Sequence, residues 1–322
     1  MGNRRALRLL LASCALLVFA AGARAEGPHG PTPAQVQALS QGDPDEPIAL
    51  VRLLRSKDPT GFTRYLLALE TEVQAVGGKR VYGGRVAQAL AGGAAAYDTI
   101  LIDLFPTRRA CVESLRAVDP MVIALGLDAE WVLAVRPWSQ TFETVAGAAA
   151  SVLGSFPREV GDPPPFPELE AAGGSAIAPD AAAIASFNAA DPNAPFAMLN
   201  LNQFRAQAAP PPGDEADVGS TGEEAYWRYS RTALWQVMRR GGRLLFAGEP
   251  IGVVVGAPGH PLDQRWNQVA LVFYPSRGHM RDMLADADYR AAIPHRVAGL
   301  ERAALLVTEP WAPFDPARAD AP

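Results

Sequence analysis

Apolar and polar positions along this chain spell the same succession of elements twice. Asp43-Pro44-Asp45-Glu46-Pro47 leads into a strand-like run from Ile48 to Leu54, and Asp191-Pro192-Asn193-Ala194-Pro195 leads into another from Phe196 to Phe204, 148 residues later. Upstream, Val36 and Leu39 fall opposite Ile184 and Phe187 on short helical stretches. Downstream, Phe62, Tyr65, Leu69 and Val73 match Tyr226, Tyr229, Ala233 and Val237, each set spaced as the buried stripe of an amphipathic helix. Both helices are predicted to stop at a glycine pair, Gly77-Gly78 and Gly241-Gly242, where a left-handed cap is needed. Strands are then predicted over Lys79–Val86 and Arg243–Val255, and over Tyr97–Phe105 and Trp266–Tyr274, each of the latter ended by a proline that cannot donate to a ladder. A second helix places Cys111, Leu115 and Val118 opposite Met280, Leu284 and Ala287. A last strand runs into Arg136-Pro137-Trp138 or Glu309-Pro310-Trp311.

The order is β-α-β-β-α-β twice, so the fold expected is α+β, two tandem ferredoxin-like modules over residues 31–138 and 178–311. Between them, 139–177 has the Pro/Gly-rich composition of a linker, with one helical turn set near Val145 to Leu153. Ala206 to Thr221 reads as a mobile loop inserted only in the second module, and 312–322 as a disordered tail.

Strand alternation then sorts the side chains. Ala197, Leu199 and Leu201 share one face; Met198, Asn200 and Asn202 share the other. If the apolar face lies under the helices, Asn200, Asn202, Gln268 and Tyr274 look into the space between the two sheets, with Arg52, Thr99 and Asp103 from the first module. Amides, an aromatic ring and an Arg52–Asp103 pair could hold a small polar or aromatic molecule. The alternative is that these groups satisfy one another, as buried polar groups must. Asp103 is the one general-base candidate in the set.

Composition narrows the function. Arg4, Arg5 and Arg8 precede an apolar run from Leu9 to Ala21, and Ala23-Arg24-Ala25 supplies small residues for cleavage after Ala25, as in a secretory signal peptide. The run is too short to span a bilayer. A lipobox reading of Leu11–Cys14 is the alternative, and either route exports the protein. Cleavage would leave 25 basic against 34 acidic residues, a formal −9. So acidic a chain, without a basic stripe, is a poor nucleic-acid partner. Cys111 would then stand alone, without an intrachain disulfide.

No nucleophile elbow, P-loop, dinucleotide fingerprint or zincin motif occurs, and His29, His260, His279 and His295 are scattered without metal-ligand spacing. No cofactor is expected on these grounds, although a haem would need only one axial histidine. Cys111 lies on the buried helix face opposite Met280 and reads as a core filler.

The segment Pro195–Leu201, the helix start at Glu224–Tyr229, Gly241-Gly242-Arg243, Tyr274-Pro275-Ser276-Arg277, and Asp288-Tyr289-Arg290 with Arg296 resemble the pattern of domain of unknown function 1330, in the dimeric α/β-barrel superfamily. The first module departs from it: Arg52 stands for Asn200, Pro120 for Tyr289, and the segment with His295 and Arg296 is shortened. The resemblance implies two sheets joined around a shared interior, here closed by one chain acting as a monomeric pseudo-dimer. Members of the superfamily include monooxygenases, isomerases and haem enzymes, so the reaction stays open. Any inherited site should be centred on Asn200, Tyr289, His295 and Arg296 of the second module. The expectation is an exported small-molecule binder, with a cofactor-free isomerase or monooxygenase and a protein-interaction module as alternatives.

Overall fold

The computed structural model describes residues 30–92, 97–138, 160, 165, 176–213, 215–256 and 260–312. The leader, most of the 139–177 segment with its expected helical turn, and the tail beyond residue 312 lie outside these residues. Helices begin where a short polar side chain can take up free backbone N–H groups. Thr32 caps α1 (Pro33–Leu39), Asp58 caps α2 (Pro59–Ala75), Thr107 caps α3 (Arg108–Ala117) and Asp119 caps α4 (Pro120–Gly126). In the second module Asp180 caps α5 (Ala181–Ala189), Thr221 caps α6 (Gly222–Met238), Ser276 caps α7 (Arg277–Ala285) and Asp286 caps α8 (Ala287–Gly299). The glycine pairs end α2 and α6 identically. Gly77 and Gly241 take φ of 76° and 74°, and the next N–H groups return to Val73 O at 2.9 Å and Val237 O at 3.0 Å.

The strands are β1 (Ile48–Ser56), β2 (Lys79–Ala91), β3 (Thr99–Phe105), β4 (Leu127–Pro137), β5 (Phe196–Phe204), β6 (Arg243–Val255), β7 (Gln268–Tyr274) and β8 (Leu300–Pro310). They close into one barrel in the order β1-β3-β2-β8-β5-β7-β6-β4. Each module contributes four neighbours, and the seams are β2 with β8 and β4 with β6, both antiparallel. Two residues past the repeat's last strand-ending arginine or glutamate, each module clasps the other: Trp138 N–H donates to Ala247 O and Trp311 N–H to Gly83 O, both at 3.0 Å. The expected pair of fused βαββαβ modules sharing one interior is therefore the architecture observed. Among the described residues no helix is long and apolar enough to cross a membrane.

Three expectations are corrected. First, the sheet faces are inverted. Ala197, Leu199, Leu201, Val269, Leu271 and Phe273 pack with Val51, Leu53 and Trp131 inside the barrel, whereas Met198, Val272 and Tyr274 pack with the helices of their module. Asn200, Asn202, Gln268, Arg52, Thr99 and Asp103 share that helix-facing side by strand alternation. A closed barrel is dry inside, so its interior takes the apolar face, aromatic side chains included; the helix layer can carry polar groups because helix side chains bond to them. Second, each second helix is split, and the extra piece is longer in module 2: α8 has 13 residues, α4 seven. Third, the insertion from Ala206 to Thr221 is pinned rather than loose. Its Asp217 is fully buried and bonds His295 Nδ1 at 2.7 Å and Arg228, and Ala209 N–H donates to Ala298 O at 2.9 Å.

Candidate functional site

The two modules differ most in the layer between sheet and helices. In module 1 this layer is filled by ions. Arg52, 3% exposed in the middle of β1, donates from Nε to Asp103 at 3.3 Å and from Nη1 to Glu130 at 3.0 Å. Arg80 on β2 reaches the other Asp103 oxygen at 2.9 Å and Glu70 on α2 at 2.9 Å, and Tyr65 donates to Glu130 at 3.2 Å. The expected Arg52–Asp103 pair is thus present, and it is part of a five-charge network. Buried charges persist only when paired in this way. Burial pushes the Tyr65 hydroxyl well up from its usual value, and the Glu130 charge acts in the same sense. Asp103, with an arginine on each oxygen, is not placed to take a substrate proton. Cys111 beside this network is completely buried, and burial pushes its thiol up to about 12, as befits a core filler.

At the equivalent positions of module 2 the network is absent. Leu244, Val272, Asn200, Ala303 and Leu234 stand where Arg80, Asp103, Arg52, Glu130 and Glu70 stand in module 1, and Ala270 and Ala233 replace Leu101 and Leu69. The side chains are smaller or uncharged there. Asn200, Ala270, Val272 and Leu244, a lane across three adjacent strands, remain partly accessible, although Arg52, Leu101 and Asp103 are sealed. This lane lies on the helix-facing side of the module 2 sheet.

Its margin is phenolic and amidic. Asn202 donates from one amide nitrogen to Tyr226 Oη and Gln268 Oε1, both at 2.9 Å, so the amides satisfy one another as one reading required. Asn200 turns its Nδ2 to Met198 O at 3.0 Å and Ala270 O at 3.3 Å. Tyr289 and Tyr229 share a hydroxyl contact of 2.8 Å, and Tyr274 stacks on Phe196 with centroids 4.9 Å apart. Desolvation raises the hydroxyls of Tyr226, Tyr274 and Tyr289; the Arg296 charge pulls Tyr226 and Tyr289 the other way. Arg296 is held by Ile177 O at 2.8 Å, and among the described residues no carboxylate pairs with it. His295, by contrast, faces the insertion and is taken by Asp217. The structure thus links Asn202, Gln268, Tyr274, Tyr289 and Arg296 through Tyr226 and Tyr229, leaves Asn200 two residues along β5 from Asn202, and sets Arg52 and Asp103 in the other module.

Sequence reasoning counted Tyr226 and Tyr229 only as core positions of a helix stripe; two hydroxyls on a stripe facing an amide-bearing strand was the available signal. Glu130, an acid directly before the apolar run Trp131–Val135, was likewise legible. Arg277 from the family-like Tyr-Pro-Ser-Arg run is structural: its guanidinium lies 5.6 Å from the Phe187 and Phe196 ring centroids. Among the described residues no group of three potential ligands could hold a metal ion.

No family model matches the chain, and no curated protein matches it. Among solved structures, the chain is similar to a putative monooxygenase from Lactobacillus acidophilus at 11% identity over 82% of this chain and 94% of that one, with a TM-score of 0.41. A chlorite dismutase mutant from Candidatus Nitrospira defluvii matches at 8% identity over 87% and 95%, with a TM-score of 0.42. Much nearer in sequence is the RPA0582 protein of Rhodopseudomonas palustris, a protein of unknown function, 33% identical over 42% of this chain and 98% of that one, with a TM-score of 0.37. Its methylated form is 34% identical over 43% and 97%, with a TM-score of 0.38. A third of the residues are therefore shared along nearly the whole of a protein the size of one module, and the chain belongs to the family of the RPA0582 protein.

Proposed function

We propose that this is an exported small-molecule-binding protein whose site is the hollow of module 2, between its sheet and α6, α7 and α8. The observation that carries this is the open lane of Asn200, Ala270, Val272 and Leu244, at the positions where module 1 is plugged by its own ions. Tyrosine rings and aliphatic chains suit a small aromatic body, and Arg296, which pairs with no carboxylate among the described residues, suits a carboxylate or phenolate on it. The interior of the barrel, occupied by packed aliphatic and aromatic side chains, gives way to this layer as the place of binding. We further assign module 2 to the pattern of domain of unknown function 1330, and the protein to a monomeric pseudo-dimer.

The test is a thermal-shift titration with benzoate and salicylate, since a ligand that binds only the folded state raises Tm by mass action. Arg296→Ala and Asn200→Ala should abolish the shift while changing the unliganded Tm little. An undiminished shift in both variants would remove this site from consideration. For export, N-terminal sequencing of the processed protein should begin at Glu26; lipid on Cys14 would replace cleavage after Ala25 by membrane anchoring.

A further inference from the structure

A cavity of about 330 Å³ lies at the seam where β6 leaves β7 for β4, apart from the lane of module 2. Its volume falls at the lower end of the range for small-molecule sites, about 300–1,000 Å³. Its origin is topological. β6 pairs with β7 only as far as Gly248 opposite Val269, and from Gly248 to Val255 it pairs with β4 instead. Continued past Gly248, the β6–β7 register would set Pro250 opposite Asn267 and Gly252 opposite Arg265, but Pro250 has no N–H to donate and no ladder forms there. Glu249–Gly252 and Gln264–Asn267 line the cavity instead, together with Leu133 of β4. A Cβ added at Gly252 would meet nothing within 4 Å, so the space beside it is open.

Each of the two separating chains brings one charge to the cavity, and the two charges do not meet. Glu249 accepts from Arg136 at 3.0 Å through Oε2, an exposed pair of small worth, and its Oε1 has no partner among the described residues. Arg265 is exposed and makes no ion pair among the described residues. Between the charges, Asn267 is fixed by its Oδ1, which accepts from the Phe204 N–H at 2.9 Å and leaves Nδ2 without a partner among the described residues. Opposite charges that line one cavity without pairing are complemented by a ligand that carries both, because a ligand of single sign would be repelled by one as it is drawn to the other. We propose that this cavity binds a zwitterionic amino acid with an amide side chain. Its ammonium meets the free Glu249 oxygen, its carboxylate Arg265, its side-chain carbonyl accepts from Asn267 Nδ2, and its methylenes lie against Leu133 and Pro250. Every one of these contacts is made by a residue that lines the cavity.

Equilibrium dialysis of the full chain is the test, with L-glutamine as probe and glutaramate as the analogue lacking the ammonium. The protein should bind L-glutamine saturably and glutaramate about tenfold more weakly, the scale of one charge-assisted contact. Glu249→Gln should weaken L-glutamine by the same factor and leave glutaramate untouched, because only the former presents an ammonium to that position. Arg265→Gln should weaken both. Salicylate, the probe of the module 2 lane, should displace neither, which keeps this assignment separate from that one. No binding up to about 10 mM L-glutamine, an equal loss of both ligands in Glu249→Gln, full affinity in Arg265→Gln, or displacement by salicylate would overturn the assignment.

Discussion

Module 1 and module 2 place the same layer, made from aligned positions of one repeat, to opposite uses. Around Arg52, module 1 packs Asp103, Glu130, Arg80 and Tyr65 into a sealed ion network. Around Asn200, module 2 shortens the equivalent side chains and leaves a partly accessible lane, with Asn202 and Tyr226 bonded to each other beside it. A repeat thus preserves backbone and packing stripes while the layer between them fills or empties. Filling by charges has a specific consequence, because each partner becomes indispensable to the others, whereas a hollow tolerates change in its lining.

Raising pH gives the largest expected effect. Burial raises Tyr97 from 10.0 and Cys111 from 9.0, each to about 12, and lifts Tyr226, Tyr274 and Tyr289 as well. These groups are neutral in the fold, so their contribution is complete below the unfolded-state values and is lost as pH climbs through the folded ones. Urea unfolding at stepped pH should show a plateau up to about pH 9 and then a steep fall. Stability that stays level up to pH 12 would refute this account.

Next comes Asp103→Ala. It deprives two arginines of their shared carboxylate and should cost about 3–5 kcal/mol in chemical unfolding, the penalty of an unpaired buried charge. A loss under about 1 kcal/mol, the scale of a surface pair, would mean that water reaches the network. Asn202→Ala should cost less, about 1–3 kcal/mol, because Tyr226 and Gln268 lose a neutral partner. Ala270→Leu, which gives module 2 the residue of module 1, should change stability by less than about 1.5 kcal/mol. It should nonetheless eliminate binding in the module 2 hollow, and calorimetry with salicylate would decide; unaltered affinity would show that the lane is not the floor of the site.

How much of this could be read beforehand depended on which signals survive closure of the barrel. The repeat was legible because helix caps and strand ends are local chemistry: Gly77-Gly78 and Gly241-Gly242, and Pro106 and Pro275, mark boundaries whatever surrounds them. Which strand face looks inward was not. Alternation tells one face from the other, but its sign comes from the contrast between dry and wet sides, and here both sides are dry. Asn200 and Asn202 were therefore grouped correctly and aimed wrongly. The inserted Ala206–Thr221 stretch misled for a related reason: its polar composition hides Asp217, which one histidine and one arginine anchor.

The seams carry a consequence for how the chain acquires its shape. Tyr82 on β2 meets Thr308 on β8 across 226 positions of sequence, and β4 waits for β6 in the same way. As synthesis proceeds from the N-terminus, the first module is complete in residues yet presents both outer strands unpaired, β4 until β6 is made and β2 until the last strand, β8, is made. Contacts so distant along the chain close slowly, and exposed edges invite pairing with strangers. The interval between those two events is the period when this protein is most open to aggregation or to a chaperone's grip.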